Sequence, residues 1–194
     1  CGLAPDALRA AVRSSAVGED GELSFAGQYV SVLGVGRDRL LESYKYVLAS
    51  LYTARAMVYR LRKGAPDDLA LMSAACLRMI DAQASGVAYS RHPFNMADRR
   101  LLVSGVWGLG PYVVDGIIEP DSFLVERLAP GPDGQDRLGA VDARVAEKPV
   151  MLRLSPSGAP QEEPVPPEKR HRPCLTDSQL RQLADWTLRL ERHY

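Results

Sequence analysis

The sequence lacks an excess of charge of either sign: lysine plus arginine and aspartate plus glutamate come to 24 each. It therefore offers no long-range field to draw in nucleic acid or a membrane surface. Cysteine is scarce. The three residues Cys1, Cys76 and Cys174 are scattered and odd in number. No metal-ligand spacing joins them, and free thiols in a reducing cytoplasm are expected. There is no apolar run of membrane-spanning length, no signal peptide and no initiator methionine. No membrane span is expected, and the chain reads as an excerpt. What is present is ordinary globular material, with 46% hydrophobic and 25% charged residues in 194. That suffices for one substantial domain or two small lobes with a packed core. Arginine far outnumbers lysine, which suits planar contacts to carboxylate or phosphate.

Periodicity divides the chain. Residues 8–16 read as a short strand after the start signal Pro5-Asp6. Gly18-Glu19-Asp20-Gly21-Glu22 is an acidic, turn-rich loop, and 24–33 returns as a second extended segment. From Asp38 to Lys63 apolar residues recur at three and four, which predicts two helices joined near Ser50. Asp38 is the expected cap, Arg60, Arg62 and Lys63 suit the C-terminal dipole, and Gly64 is the stop. Residues 72–80 and 86–90 look like paired strands, with further strands at 101–106, 123–128 and 139–145. Residues 155–173 are proline-rich and read as an extended connector. A last helix begins at Thr176, its cap, with Leu180, Leu183, Thr187 and Leu190 on one face. The expected organisation is a strand pair plus helical hairpin over 1–70 and a sheet-rich lobe over 71–154. The connector over 155–173 and the closing helix over 174–194 follow. The fold class is α+β, a mixed and mostly antiparallel sheet flanked by helices.

One stretch carries candidate chemistry. Arg13-Ser14-Ser15 ahead of a glycine-containing loop could set a guanidinium, two hydroxyls and several amide N–H groups around one anion, as a polyphosphate requires. An arginine at a strand end is more often a surface ion pair. Glu19 and Asp20 could hold a metal or simply be solvated. Trp107-Gly108-Leu109-Gly110 could be a mobile loop over phosphates, although Gly-x-Gly alone is a weak signal and Trp107 suits a core. His92, His171 and His193 sit in turn, proline-rich and terminal-helix settings, and none is nominated as a phosphorylated nucleophile.

Taken together, several stretches closely resemble the ATP-binding domain of the pyruvate phosphate dikinase and phosphoenolpyruvate synthase family. They begin with Val12-Arg13-Ser14-Ser15-Ala16, Glu19-Asp20 and Ser24-Phe25-Ala26-Gly27-Gln28. Collinear matches follow in Ala49-Ser50-Leu51-Tyr52-Thr53, Ser85-Gly86-Val87, Trp107-Gly108-Leu109-Gly110, Pro120-Asp121 and Leu190-Glu191-Arg192-His193-Tyr194. The resemblance implies an ATP-grasp-like fold whose lobes close on the nucleotide. It implies transfer of the β-phosphate of ATP to a carrier histidine on another domain, leaving AMP, and then transfer to pyruvate. By position it assigns Arg13 to the nucleotide's phosphates, with Ser14 beside it, and puts Gly27 and Ser31 near the nucleotide. Gly27 serves equally well as a tight turn. The strand flanking adenine is expected at 75–80, which makes Leu77 and Met79 candidate contacts.

The sequence also departs from the family pattern. Leu77 replaces a glutamine, Pro111 replaces a glutamate after Trp107-Gly108-Leu109-Gly110, and no acid precedes Pro93. The family's glycine-rich lysine segment and its magnesium ligands are not found in these residues. ATP with Mg²⁺ is the expected cofactor, its metal ligands lying elsewhere. The chain alone is expected to bind ATP weakly and not turn over. Expected partners are ATP and the phosphocarrier-histidine and pyruvate-binding domains of a parent, with no nucleic acid and no membrane; a homodimeric parent is left open. Pyruvate phosphate dikinase, another dikinase-type phosphotransferase with a different acceptor, and a non-catalytic nucleotide-binding scaffold are the alternatives.

Overall fold

A computed structural model describes residues 9–16, 28–64, 71–95, 97–131 and 136–194. The chain divides into two units: residues 1–80 with 154–160, and residues 81–153 with 161–194.

The first unit is built on alternation. In strand β1 (Ala10–Ala16), Val12 is fully buried while Arg13 is exposed. Strand β1 lies between β2 (Val32–Val35) and β3 (Met72–Arg78), and both pairings are antiparallel. Val12 and Val35 meet Val47 of helix α1 (Leu40–Ala49), with Ala10, Val32, Met72 and Ala74 packed around them. One face of the sheet is thus spent on the core.

The two helices expected between Asp38 and Lys63 are formed. Helix α1 ends in a 3-10 turn at Ser50–Tyr52, and α2 runs Ala54–Lys63. The break has a local cause. Ser50 Oγ donates back to the Val47 carbonyl at 2.6 Å, and the Thr53 side chain caps α2 by accepting from Ala56 N–H at 3.3 Å. Such back-bonding competes with the helical ladder. Gly64 closes α2 at φ 66°, the left-handed stop that glycine allows. Two details differ from expectation. Asp38 caps nothing, lying within a 3-10 turn at Arg37–Arg39. Arg60 is not at the surface dipole but 3% exposed, donating to the Leu51 carbonyl at 2.7 Å, because the inter-helix bend leaves that carbonyl free.

Residues 154–160 complete this unit. The guanidinium of Arg9 donates twice to the Ser157 carbonyl, at 2.8 and 2.6 Å. Gly34 has φ 69°, and a Cβ there would run into the carbonyl oxygen of Gly158.

In the second unit four antiparallel strands stand in the order β4 (Ala84–Tyr89), β5 (Leu101–Trp107), β6 (Asp121–Leu128), β7 (Arg137–Arg144). Leu101, Val103, Phe123 and Val125 alternate onto one face and meet Leu180, Ala184 and Leu188 of helix α5 (Asp177–His193). The expected cap is present as a full capping box between Thr176 and Gln179. The expected pairing of 72–80 with 86–90 is not formed, since β3 pairs with β1 and β4 with β5. Residues 81–83 lack the Asn-Gly or Gly-x chemistry of a tight hairpin, so the chain passes on instead of folding back. A short helix α3 (Pro111–Val114) follows Gly110. The two-stranded ladder of β8 (Val150–Leu154) and β9 (Pro160–Pro164) and the turn of helix α4 (Pro167–Arg170) are additional, the latter two within the proline-rich stretch. Among the described residues no helix is long and apolar enough to cross a membrane.

Candidate functional site

The candidate site starts from the strand period of two. Because Val12 points to α1, Arg13 points to the opposite face of the first sheet. Arg13 stands opposite Ala75 of β3, and Leu77, opposite Ala11, is on the same face and 50% exposed. On the other flank Val12 pairs with Val32. The exposed Ser31 directly precedes β2. Two residues named from sequence, Arg13 and Leu77, therefore share a face of the sheet. Among the described residues Arg13 has no ion-pair partner, so its guanidinium fork is available to an anion.

The other three stand differently. Ser14 pairs with Ala74 on the α1 side of the sheet, so adjacent positions in one strand separate it from Arg13. Met79 lies just past β3, where its N–H donates to the Arg9 carbonyl at 2.9 Å and its Sδ accepts from Gly34 N–H at 2.9 Å. Its thioether is thereby tied to β2. Gly27 falls outside the described residues, as do Glu19 and Asp20. No three His, Cys, Asp or Glu side chains come together as metal ligands among the described residues.

The glycine-rich run of the second unit is held, not loose. Gly108 N–H donates to Gln83 O at 2.9 Å, Leu109 N–H donates to Leu152 O at 2.7 Å, and Leu109 is buried. Gly108 has φ 76°, and a Cβ on it would strike the Leu152 carbonyl. Gly108→Ala is expected to cost about 1–3 kcal/mol from the left-handed backbone alone, with the carbonyl clash adding to it. The midpoint of urea unfolding measures this, and an unshifted midpoint would refute it. Pro111 opens α3 at its first turn, where the missing N–H costs nothing. Tyr112 donates to Glu162, and that bond raises the phenol's pKa. Trp107 is half-buried; its Nε1 donates to the Lys169 carbonyl at 3.2 Å, and the Lys169 ammonium lies 5.7 Å from the ring centroid.

Sequence reasoning missed the most costly group of side chains. Asp121 and Lys148 are both fully buried and paired at 2.5 Å. Asp121 also accepts from the N–H groups of Ala146 at 3.0 Å and Cys174 at 2.8 Å, while Lys148 donates to Ala146 O at 2.7 Å. Burial, then the Asp121 charge, pushes the Cys174 thiol up to about 12, which keeps it protonated and inert. A second group links Glu191 to Arg127 at 2.7 Å and to Arg91 at 3.4 Å, with Asp136 taking Arg127 and Arg192. An aspartate opening a strand after Pro120 and one of the sequence's few lysines were the signals available. Nothing in their spacing joins them.

Comparison with known proteins gives one consistent answer. Residues 1–194 match the family model described as "Pyruvate phosphate dikinase, AMP/ATP-binding domain". A probable phosphoenolpyruvate synthase of Staphylothermus marinus is 32% identical, over 100% of this chain and 25% of its own length. One of Methanothermobacter thermautotrophicus is 34% identical, over 99% of this chain and 27% of its own. A phosphoenolpyruvate synthase of Aeropyrum pernix is 32% identical, over 96% and 25%. The chain thus spans about a quarter of the length of these curated relatives.

Proposed function

This chain belongs to the pyruvate phosphate dikinase AMP/ATP-binding domain family, and from that membership we propose that it serves a phosphoenolpyruvate synthase-like phosphotransferase. In this reading the diphosphoryl end of ATP passes to a carrier histidine on another domain of the parent and AMP leaves, water releases the γ-phosphate as inorganic phosphate, and the remaining β-phosphoryl group passes to pyruvate. The observation that carries it is Arg13, exposed and, among the described residues, without an ion pair, on a sheet face shared with Leu77. Arg13 binds the transferring phosphates as a bidentate donor. Ser31 adds a hydroxyl, and Leu77 gives apolar contact to the base. Ser14 and Met79 support the same region through the backbone, since Ser14 faces away and the Met79 thioether is engaged; Gly27 is kept as a nucleotide contact on the sequence resemblance alone.

No three metal-ligating side chains meet among the described residues; the ligands of Mg²⁺ belong to segments of the parent outside these residues, as do the phosphocarrier and pyruvate-binding domains. The cytoplasm is the proposed compartment, and pairing of two parent copies is compatible with the reading. A non-catalytic nucleotide-binding role has one observation in its favour, the apolar Leu77 where the family pattern has glutamine.

The test uses the full-length protein and ATP labelled at the β-phosphate. The expected result is AMP together with acid-labile label on the protein, discharged by pyruvate. ADP as product would overturn the reading. Label that pyruvate does not remove points to a different acceptor, and nucleotide binding without label points to the scaffold.

A further inference from the structure

The side of the first sheet that carries Arg13 is graded along its length. Residues paired across β1 and β3 lie on one side of the sheet, and so do residues two apart in either strand. From one end to the other the pairs on this side are Ala11 with Leu77, Arg13 with Ala75, and Ser15 with Ser73. An apolar end, a cation and a hydroxyl end therefore follow in order. Leu77, Arg13, Ser15 and Ser73 are all exposed. At roughly 3.3 Å per residue, Ala75 lies about 7 Å and Ser73 about 13 Å along the strand from Leu77.

The charges on these strands suit an anion. Strands β1 and β3 contain no aspartate or glutamate, and Arg13 has no ion-pair partner among the described residues. The two serines are not equivalent. Ser73 Oγ donates to the Ser15 carbonyl at 3.2 Å, whereas the Ser15 hydroxyl has no partner among the described residues. An isolated exposed serine would be left to water. Ser15 differs by its register, one pleat beyond a guanidinium and on the same side, where its O–H extends the set of donors offered to a chain of anionic groups. An elongated ligand with a ring at one end and phosphates at the other matches the order of side chains. An extended nucleoside triphosphate covers all three levels, and a nucleoside monophosphate ends at the second.

We infer that Ser15 is a specificity residue of the nucleotide site. It binds the terminal phosphate of a triphosphate whose base lies on Leu77 and whose inner phosphates meet Arg13. The inference rests on the nucleotide reading above and adds to it a direction along β1. ATP then uses all three levels, while AMP uses only those of Leu77 and Arg13, so the leaving nucleotide is held by one contact fewer than the arriving one.

The test uses calorimetry on the full-length protein with two probes: AMP, and α,β-methylene-ATP, whose bridging carbon blocks transfer. Ser15→Ala is expected to weaken α,β-methylene-ATP on the order of tenfold, the loss of one hydrogen bond to a charged group, and to leave AMP within about twofold. Ser15→Thr keeps the hydroxyl in a strand and should restore the difference. Ser73→Ala should have the smaller effect, because that hydroxyl is already given to a carbonyl. Circular dichroism checks that each variant folds. Equal loss for both probes, no loss for either, or no recovery in Ser15→Thr would overturn the placement of the terminal phosphate. In those cases the unaltered protein still binds both probes and Arg13→Ala still weakens them, so the nucleotide reading stands. An unaltered protein that binds neither probe would overturn that reading and the inference with it.

Discussion

Asp121→Ala is expected to lower the stability of the second unit by about 3–5 kcal/mol, the cost of leaving one member of a buried ion pair alone. For a chain of this size that is a fall in Tm of roughly 10 °C. The physical ground is that Lys148 is fully buried and its ammonium cannot be rehydrated in place. Asp121→Ala also strips partners from the N–H groups of Ala146 and Cys174, so two backbone donors join the unpaired cation. Lys148→Met is expected to be milder, because the Asp121 carboxylate keeps both of those amides. The double variant Asp121→Ala, Lys148→Met should recover part of the loss, since neither charge then remains buried. Urea titration of the four proteins gives the coupling energy directly. Single variants within about 1 kcal/mol of the parent would show that water reaches the pair.

The largest effect on activity is expected at Arg13. In the full-length protein Arg13→Ala should reduce kcat/KM for ATP on the order of 10²-fold, about 2–4 kcal/mol of lost transition-state stabilisation. Stability should hardly move, because Arg13 is exposed and, among the described residues, unpaired, and such surface changes stay within about 0.5 kcal/mol. Arg13→Lys should recover only part of the loss, as an ammonium keeps the charge without the fork. Unchanged turnover in Arg13→Ala, at unchanged Tm, would remove this residue from the phosphate site.

Much of this arrangement could be read from the residues. The apolar segments 101–106 and 123–128 located β5 and β6, and Thr176 marked the start of α5. The junction expected near Ser50 marked the helix break. Each is a local signal, spelled within a few positions. What escaped was non-local. The partner of β3 is β1, with Arg13 opposite Ala75 across a long stretch of chain, and no periodicity states who pairs with whom. Asp121 and Lys148 meet across 27 positions, and an isolated lysine looks like surface until its partner is known. The separation of Ser14 from Arg13 was legible, since neighbours in a strand cannot face one way. The alignment of Leu77 with Arg13 was not, because it depends on the register of β1 with β3.

The first unit is not a continuous stretch of chain, because it takes residues 154–160 from far downstream. A nascent polypeptide emerging from the ribosome as far as Ile80 already holds every strand of the β2-β1-β3 sheet and both of its helices. It still lacks the carbonyl of Ser157 that the Arg9 guanidinium grips, and Gly34 has no Gly158 to lie against. Arg9 therefore waits 148 positions of synthesis for its acceptor. In the order of translation, the unit that begins first is closed only after the four strands of the other have been made.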